Sequence, residues 1–328
     1  MNELNQIRYD RMKAEFENAQ VPEPDPSTPL EIDPDALLTF VVWGDPQLFS
    51  ASVDRSVRFA AACKDLKNIN GRLDALILAG DVAEFGMECE YKFASELIND
   101  CSDHYDRFFA VPGNHDIRIR KFERQFQIFK HFVQTVDGGY FGGKTKYFYS
   151  YDYDCCKFIF MGTDMNTFEG AYYSPAQFRF VDEQITQAEQ RGIPAFVINH
   201  QTLVKTNGLP VTWGGIGNWR GSVGWQNNKL KAIFEKHNNV IFINGHLHYG
   251  TSKYSFEDCG CFKSLSVPTV GVVNHGDFNY DSQGYVITVY EDKIVFRARL
   301  FGEGKYVDKN QPGAEIIIPN NYKEGKVL

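Results

Sequence analysis

Five short apolar runs in this chain each stop at residues able to bind a metal ion, and that recurrence restricts the possible folds more than any other feature. LLTFVVWGD (37–45) ends on Asp45, with Gln47 two residues beyond, and LDALILAGD (73–81) ends on Asp81. RFFAVPGNHD (107–116) ends on Asn114, His115 and Asp116, IPAFVINH (193–200) on His200, and VIFINGHLH (240–248) on His246 and His248. Runs this apolar read as strands covered on both faces. In open α/β architectures ligands bind outside the carboxyl ends of the strands, so polar residues at successive ends converge in one crevice. A single Gly-Asp is commonly a turn or helix cap, and Asn114 and Asp116 can satisfy backbone groups. The ordered set carries more than any member does.

Between the runs lie amphipathic segments at 53–69, 88–101, 175–191 and 226–237, and a further one carrying Phe122, Phe126 and Phe129. Strands alternating with covering helices indicate a layered α/β fold. Residues 146–164 read as a hairpin entering a buried strand, and 251–318 read as antiparallel strands. At the N-terminus, 3–19 reads as a polar helix with a thin stripe of Ile7, Met12 and Phe16. VPEPDPSTPLEIDPD, with five prolines, then forms a stiff extended connector. The expected division is an arm and connector over 1–36 and a single catalytic domain over 37–328, because residues 45 to 248 must share one site.

Composition narrows the function. With 34 Lys+Arg against 42 Asp+Glu, the net charge of -8 argues against a nucleic-acid duplex as partner, since phosphate neutralisation needs clustered cations. An anionic small molecule remains compatible, because bound metal ions can outweigh surface carboxylates. The seven cysteines contain no Cys-x-x-Cys pair and read as reduced thiols. No stretch reaches the roughly 20 apolar residues of a membrane span, and MNELNQIRYDRMKAEFENAQ has no apolar signal region. A cytoplasmic location is expected, or a secreted or periplasmic one if a leader precedes this sequence.

The set GDPQ (44–47), GD (80–81), GNHD (113–116), NH (199–200) and GHLH (245–248) resembles the calcineurin-like metallophosphoesterase family over about 40–250. The resemblance implies a central β-sandwich of two mixed sheets flanked by helices, and a hydrolase with two divalent metal ions, whether manganese, iron, zinc, magnesium or calcium. By motif position, Asp45, Gln47, Asp81 and His248 surround the first ion. Asp81, Asn114, His200 and His246 surround the second, with Asp81 bridging. The implied reaction is attack on phosphorus by a metal-bridged hydroxide, in a phosphomonoester or phosphodiester. The substrate is a small phosphorylated molecule or a phosphoprotein. His115 assists the leaving group, and Asp116 or carboxylates on the Asp81 side orient and charge it. Position 47 departs from the family's commoner Asp-x-His, because Gln offers a neutral amide oxygen, a harder and weaker ligand than imidazole. Two other readings are a cyclic-nucleotide phosphodiesterase and a catalytically silent metal-binding scaffold.

Specificity is expected on a Gly- and Trp-rich loop, 207–225. Arg220 is the candidate for a phosphate oxygen, and Trp213 and Trp219 for stacking on a flat group, with Trp225 alongside. Cover for a packed loop is the equal alternative. Asp164, Asn166, Tyr172 and Tyr173 form a second candidate rim.

Overall fold

The structure is a computed structural model and describes residues 1–215 and 221–321. In chain order the first elements are α1 (Glu3–Glu17), β1 (Leu38–Trp43), α2 (Asp54–Leu66), β2 (Leu73–Leu78), α3 (Glu88–Asn99) and β3 (Tyr105–Ala110). Then come α4 (Asn114–Ile117), α5 (Phe122–Thr135), β4 (Tyr149–Asp152), β5 (Lys157–Phe160), α6 (Pro175–Gln190), β6 (Ala195–Ile198), α7 (Asn227–Phe234) and β7 (Val240–Asn244). The last are β8 (Phe256–Asp258), β9 (Phe262–Ser266), β10 (Gln283–Val289), β11 (Lys293–Leu300), β12 (Lys305–Tyr306) and β13 (Glu315–Pro319).

Two mixed sheets result. One has the order β12-β11-β10-β1-β2-β3, with β13 also pairing β11; the other runs β4-β5-β6-β7-β9-β8. The parallel pairs β1–β2 and β2–β3 bring the ends of the first three runs side by side, and β6–β7 does the same for the last two. The tail is not wholly antiparallel as the sequence suggests. β8 runs back along the sheet edge, and its hairpin turn returns β9 parallel to β7, with Leu265 opposite Ile243.

Side-chain alternation explains why these strands are apolar throughout. Phe158 and Phe160 of β5, Phe196 of β6, and Ile241 and Ile243 of β7 point between the sheets, where Phe40 of β1 meets Phe158 and Phe196 edge-on and Phe109 stacks on Phe160. The residues between them, Ile159, Val197 and Phe242, point outward beneath Phe178 and Ile185 of α6 and Leu230 and Phe234 of α7. Trp43 faces the other outer layer against Phe59 of α2. The order is therefore helices, sheet, sheet, helices, with the central strands β1, β6 and β7 buried on both faces.

The N-terminal segment joins this body. Tyr9 and Met12 of α1 are buried, and the Tyr9 hydroxyl donates to the Glu96 carboxylate on α3. Ile7 is exposed, because residues 5, 9 and 12 share one face of a 3.6-residue helix and residue 7 lies opposite. The proline segment is tied down by Arg299, whose buried guanidinium pairs bidentately with Asp65 of α2 at 2.6 and 2.7 Å and donates to the Thr28 carbonyl at 2.9 Å.

Candidate metal centre

The loops leaving β1, β2, β3, β6 and β7 meet at one end of the sandwich, between the two sheets. Five of the converging residues adopt left-handed backbone: Asp45 (φ 50°), Gln47 (45°), Asp81 (47°), His246 (70°) and His248 (49°). Such conformations are uncommon outside glycine, tolerated best by Asn, Asp and His, and concentrated at functional sites. The chain turns sharply after each strand, so side chain and backbone aim back across the strand ends. Glycine is required where neighbours close in. A Cβ on Gly80 would lie 2.3 Å from the His200 ring, and one on Gly113 would lie 2.0 Å from Asp81 Oδ1.

His200 fixes the electrostatics. Its Nδ1 lies 2.9 Å from the Ala79 carbonyl, which places a proton there and turns Nε2 into the crevice. That Nε2 sits 3.2 Å from Asp81 Oδ2, 3.2 Å from Asn114 Oδ1 and 3.0 Å from His246 Nδ1. Four lone-pair-bearing atoms thus face one another, an arrangement that calls for a cation. In a metal-free state a proton fills that part. Burial works against the charged imidazole, but the Asp81 and Asp45 carboxylates prevail and push His200 up to about 9. Desolvation likewise opposes the Asp81 charge, yet His200, His115 and His246 hold that carboxyl well below its ordinary range. Burial and the neighbouring His200 push His246 well below the ordinary histidine value.

Among the described residues two donor groups emerge, Asp81 with His200 and His246, and Asp45 with Asp81 and His248, each with its ligand atoms within 4.8 Å of one another. They share Asp81. His248 Nε2 lies 3.0 Å from Asp45 Oδ1, and Asp45 Oδ2 accepts the His246 backbone N–H at 3.0 Å. Gln47 donates Nε2 to Glu84 Oε2 at 2.9 Å, while its Oε1 is buried without a hydrogen-bond partner. Carboxylate, imidazole and amide oxygen suit divalent cations from magnesium to zinc. On donor chemistry and on the unpartnered Gln47 oxygen, the residues fit a metal site.

The family model of calcineurin-like phosphoesterases matches residues 38–250. The chain belongs to that family. A dimetal phosphatase from Danio rerio superposes with a TM-score of 0.59 at 13% identity, covering 87% of this chain and 100% of that one. Purple acid phosphatase PPD1 from yellow lupin (Lupinus luteus) seeds gives 0.59 at 14%, over 86% of this chain and 53% of that one. GAP50, the anchor in the inner membrane complex of Plasmodium, gives 0.56 at 16%, over 89% and 90%. These likenesses establish the calcineurin-like fold of two mixed sheets flanked by helices. No curated protein sequence matches the chain significantly. No helix among the described residues is long and apolar enough to cross a membrane.

Around the donors, His115 donates its backbone N–H to Asp81 Oδ1 at 2.8 Å. Its ring Nδ1 lies 3.1 Å from Glu84 Oε1. Burial lowers the ring's proton affinity, but Asp81 and Glu84 more than offset this and raise it. Glu84 also pairs with Arg55 and with Arg118, the latter at 3.4 Å. The sequence reading overlooked Glu84, although it stands three residues after Asp81 in the same loop. Of the carboxylates expected to orient and charge His115, those on the Asp81 side face it and Asp116 does not. Its carboxylate accepts from the backbone N–H groups of Val82, Ala83 and Gly113 and from the Tyr91 hydroxyl, all within 3.1 Å. It braces the two ligand loops against each other. Neighbours in sequence on the one-turn α4 point apart, so His115 and Asp116 face opposite surroundings.

The expected rim is only partly as read. Trp213 stacks on the His246 imidazole, centroids 4.6 Å apart and planes at 23°. One indole face is therefore occupied by a candidate ligand. Trp219 and Arg220 lie outside the described residues. Trp225 is exposed and packs at a tilt with Tyr172. In the second loop Asp164 accepts from Ser174 N–H at the start of α6, Asn166 bonds the Arg120 carbonyl, and Tyr173 donates to Asn199. The residue of that loop that reaches the crevice is Glu169, whose Oε2 accepts from Asn114 Nδ2 at 3.4 Å. Nothing in its local sequence, Phe-Glu-Gly, marks it.

Proposed function

We propose that this protein is a metal-dependent phosphoester hydrolase whose two ions share Asp81. The observation that supports this reading is the pair of donor groups meeting at that one buried carboxylate. Asp45, Gln47, Asp81 and His248 would hold the first ion, and Asp81, Asn114, His200 and His246 the second. Two divalent ions held together neutralise charge on phosphoryl oxygens and make water more acidic.

The chain's own groups do the rest. His115 keeps its proton through Asp81 and Glu84 and delivers it to the departing oxygen. Glu84 sets that proton affinity and, through Gln47 Nε2, fixes which end of the amide faces the ions. Arg118, with its guanidinium 2.8 Å from His115 Nδ1, adds positive charge where phosphoryl charge is held. Asp116 keeps the loops of Asp81 and Asn114 in register. No serine or cysteine is required as nucleophile. Arg220 and Trp219 remain the candidates for contacting the substrate beyond its phosphoryl group.

The test is hydrolysis of nitrophenyl phosphate and bis-nitrophenyl phosphate by metal-stripped protein resupplied with manganese, magnesium, zinc or iron. Cleavage of at least one ester, lost by about 100-fold or more in Asp81→Asn, is expected from the several kcal/mol that metal coordination supplies. If neither ester is cleaved above that variant with any of the four metals, the hydrolase reading is wrong. Which ester is preferred separates monoesterase from diesterase.

A further inference from the structure

His200 and His246 sit side by side, rings 4.7 Å apart, yet they are held differently. The outer nitrogen of His200 donates to a backbone carbonyl. The corresponding atom of His246, Nε2, is shut off from solvent and has no hydrogen-bond partner, while Nδ1 faces the cluster of donors. A neutral imidazole that gives its Nδ1 lone pair to a metal carries its proton on Nε2, and a metal-bound histidine ordinarily donates that proton to a carboxylate, carbonyl or water. The carboxylate facing it here is Glu169, with Oε2 at 3.9 Å.

We propose that Glu169 is a positioning residue for His246, its carboxylate accepting the Nε2 proton and holding the ring with Nδ1 turned to the second ion. This rests on the metal reading given above. The gap to hydrogen-bonding distance is about 1 Å, and the Glu169 side chain, 31% exposed, has room to close it. Its loop is well placed to do so. Gln201, next to ligand His200, donates Nε2 to the Glu169 carbonyl at 3.1 Å, and the Ala171 N–H donates to the Val223 carbonyl. One face of the ring is covered by Trp213, whose plane lies 23° from that of the imidazole. The indole thus limits tilting of His246, while the carboxylate at the Nε2 edge limits rotation within the ring plane. The carboxylate also makes the imidazole a stronger donor to the metal.

The test is calorimetric titration of Mn²⁺ into metal-stripped protein. E169A should weaken one of the two Mn²⁺ equivalents by about 10- to 100-fold, the usual effect of losing such a partner. E169Q, which keeps an acceptor without the charge, should weaken it less. In a His246→Ala background E169A should add nothing further, because the effect travels through that ring. Equal losses in both backgrounds would show Glu169 acting through Asn114, whose Nδ2 donates to it at 3.4 Å, or directly on the ion, and would overturn the proposal, as would unchanged affinity in E169A.

A second readout does not depend on affinity. In Zn²⁺-loaded protein the His246 Nε2 proton should give a slowly exchanging downfield imidazole resonance, identified by its loss in His246→Ala and absent from E169A. Its persistence in E169A refutes the proposal. Asp81→Asn separates the two levels. If that variant still binds two Mn²⁺ equivalents normally, the metal reading itself fails. If it does not, while E169A binds like wild type, only the role of Glu169 fails.

Discussion

Gln47 points its amide nitrogen at Glu84, Nε2 to Oε2 at 2.9 Å, and so keeps its oxygen free on the opposite side. An amide has no intrinsic preference between its two ends; Glu84 makes the choice. Gln47→His replaces a hard neutral oxygen with imidazole, and should raise retention of zinc over magnesium at the first position by about tenfold or more. Metal analysis after dialysis against a chelator measures it, and unchanged metal content would remove Gln47 from the ligand set.

Glu84→Gln should move a pH profile. In the proposed mechanism His115 acts while protonated, so activity should fall as pH rises through its pKa. Burial lowers that pKa, and the Asp81 and Glu84 charges raise it above the ordinary value. Removing the Glu84 charge takes away part of the increase, so the alkaline limb of kcat should shift to lower pH. His115→Ala should cost about 10²- to 10⁴-fold with an alkyl phosphate, and far less with a nitrophenyl ester, whose leaving group needs no proton. Equal losses on both esters would argue against a proton-donating role.

Metal uptake should release protons. His200 in the metal-free protein is pushed up to about 9, so at pH 7.5 its Nε2 carries a proton that the ion must displace. Affinity for Mn²⁺ should therefore rise with pH up to about 9. Titrations in buffers of different ionisation enthalpy count the proton directly. The same shift has a sign for stability. A histidine whose folded pKa is raised contributes fully below its unfolded value of about 6.5, and loses that contribution as pH rises through the folded value. The metal-free protein should lose stability over that window, and the metal-loaded protein should not lose this contribution.

In the layer between β11 and α2, Arg299→Ala should lower unfolding free energy by about 3–5 kcal/mol, because it strands the buried Asp65 carboxylate. Denaturant unfolding reports the loss. Activity per folded molecule should be nearly unchanged, which distinguishes this pair from the groups at the strand ends.

The candidate ligands were legible because chemistry and topology coincide. A parallel strand covered on both faces must be apolar until it emerges, so the metal-binding residue types within a few positions after Trp43, Leu78, Ala110, Ile198 and Asn244 stand out. What surrounds them was not legible. Asp116 looked like a partner of His115 by adjacency, and the helical turn separates them. Glu169 and Trp213 reach His246 from loops whose paths depend on tertiary packing. The parallel placement of β9 depends on β8 forming the sheet edge, which alternation within either strand does not encode.

Asp45 and His248 lie 203 residues apart along the chain and 3.0 Å apart in space. Asp45, Asp81 and Asn114 follow strands of one sheet, and His200, His246 and His248 follow strands of the other. On the proposed metal reading, ions at this seam would act as a reversible cross-link between the two sheets, closing a very long loop whose closure entropy the unfolded chain retains. Chelation would then do more than silence chemistry: it would unlock the two halves, and protease resistance of the sheet–sheet seam should follow metal occupancy.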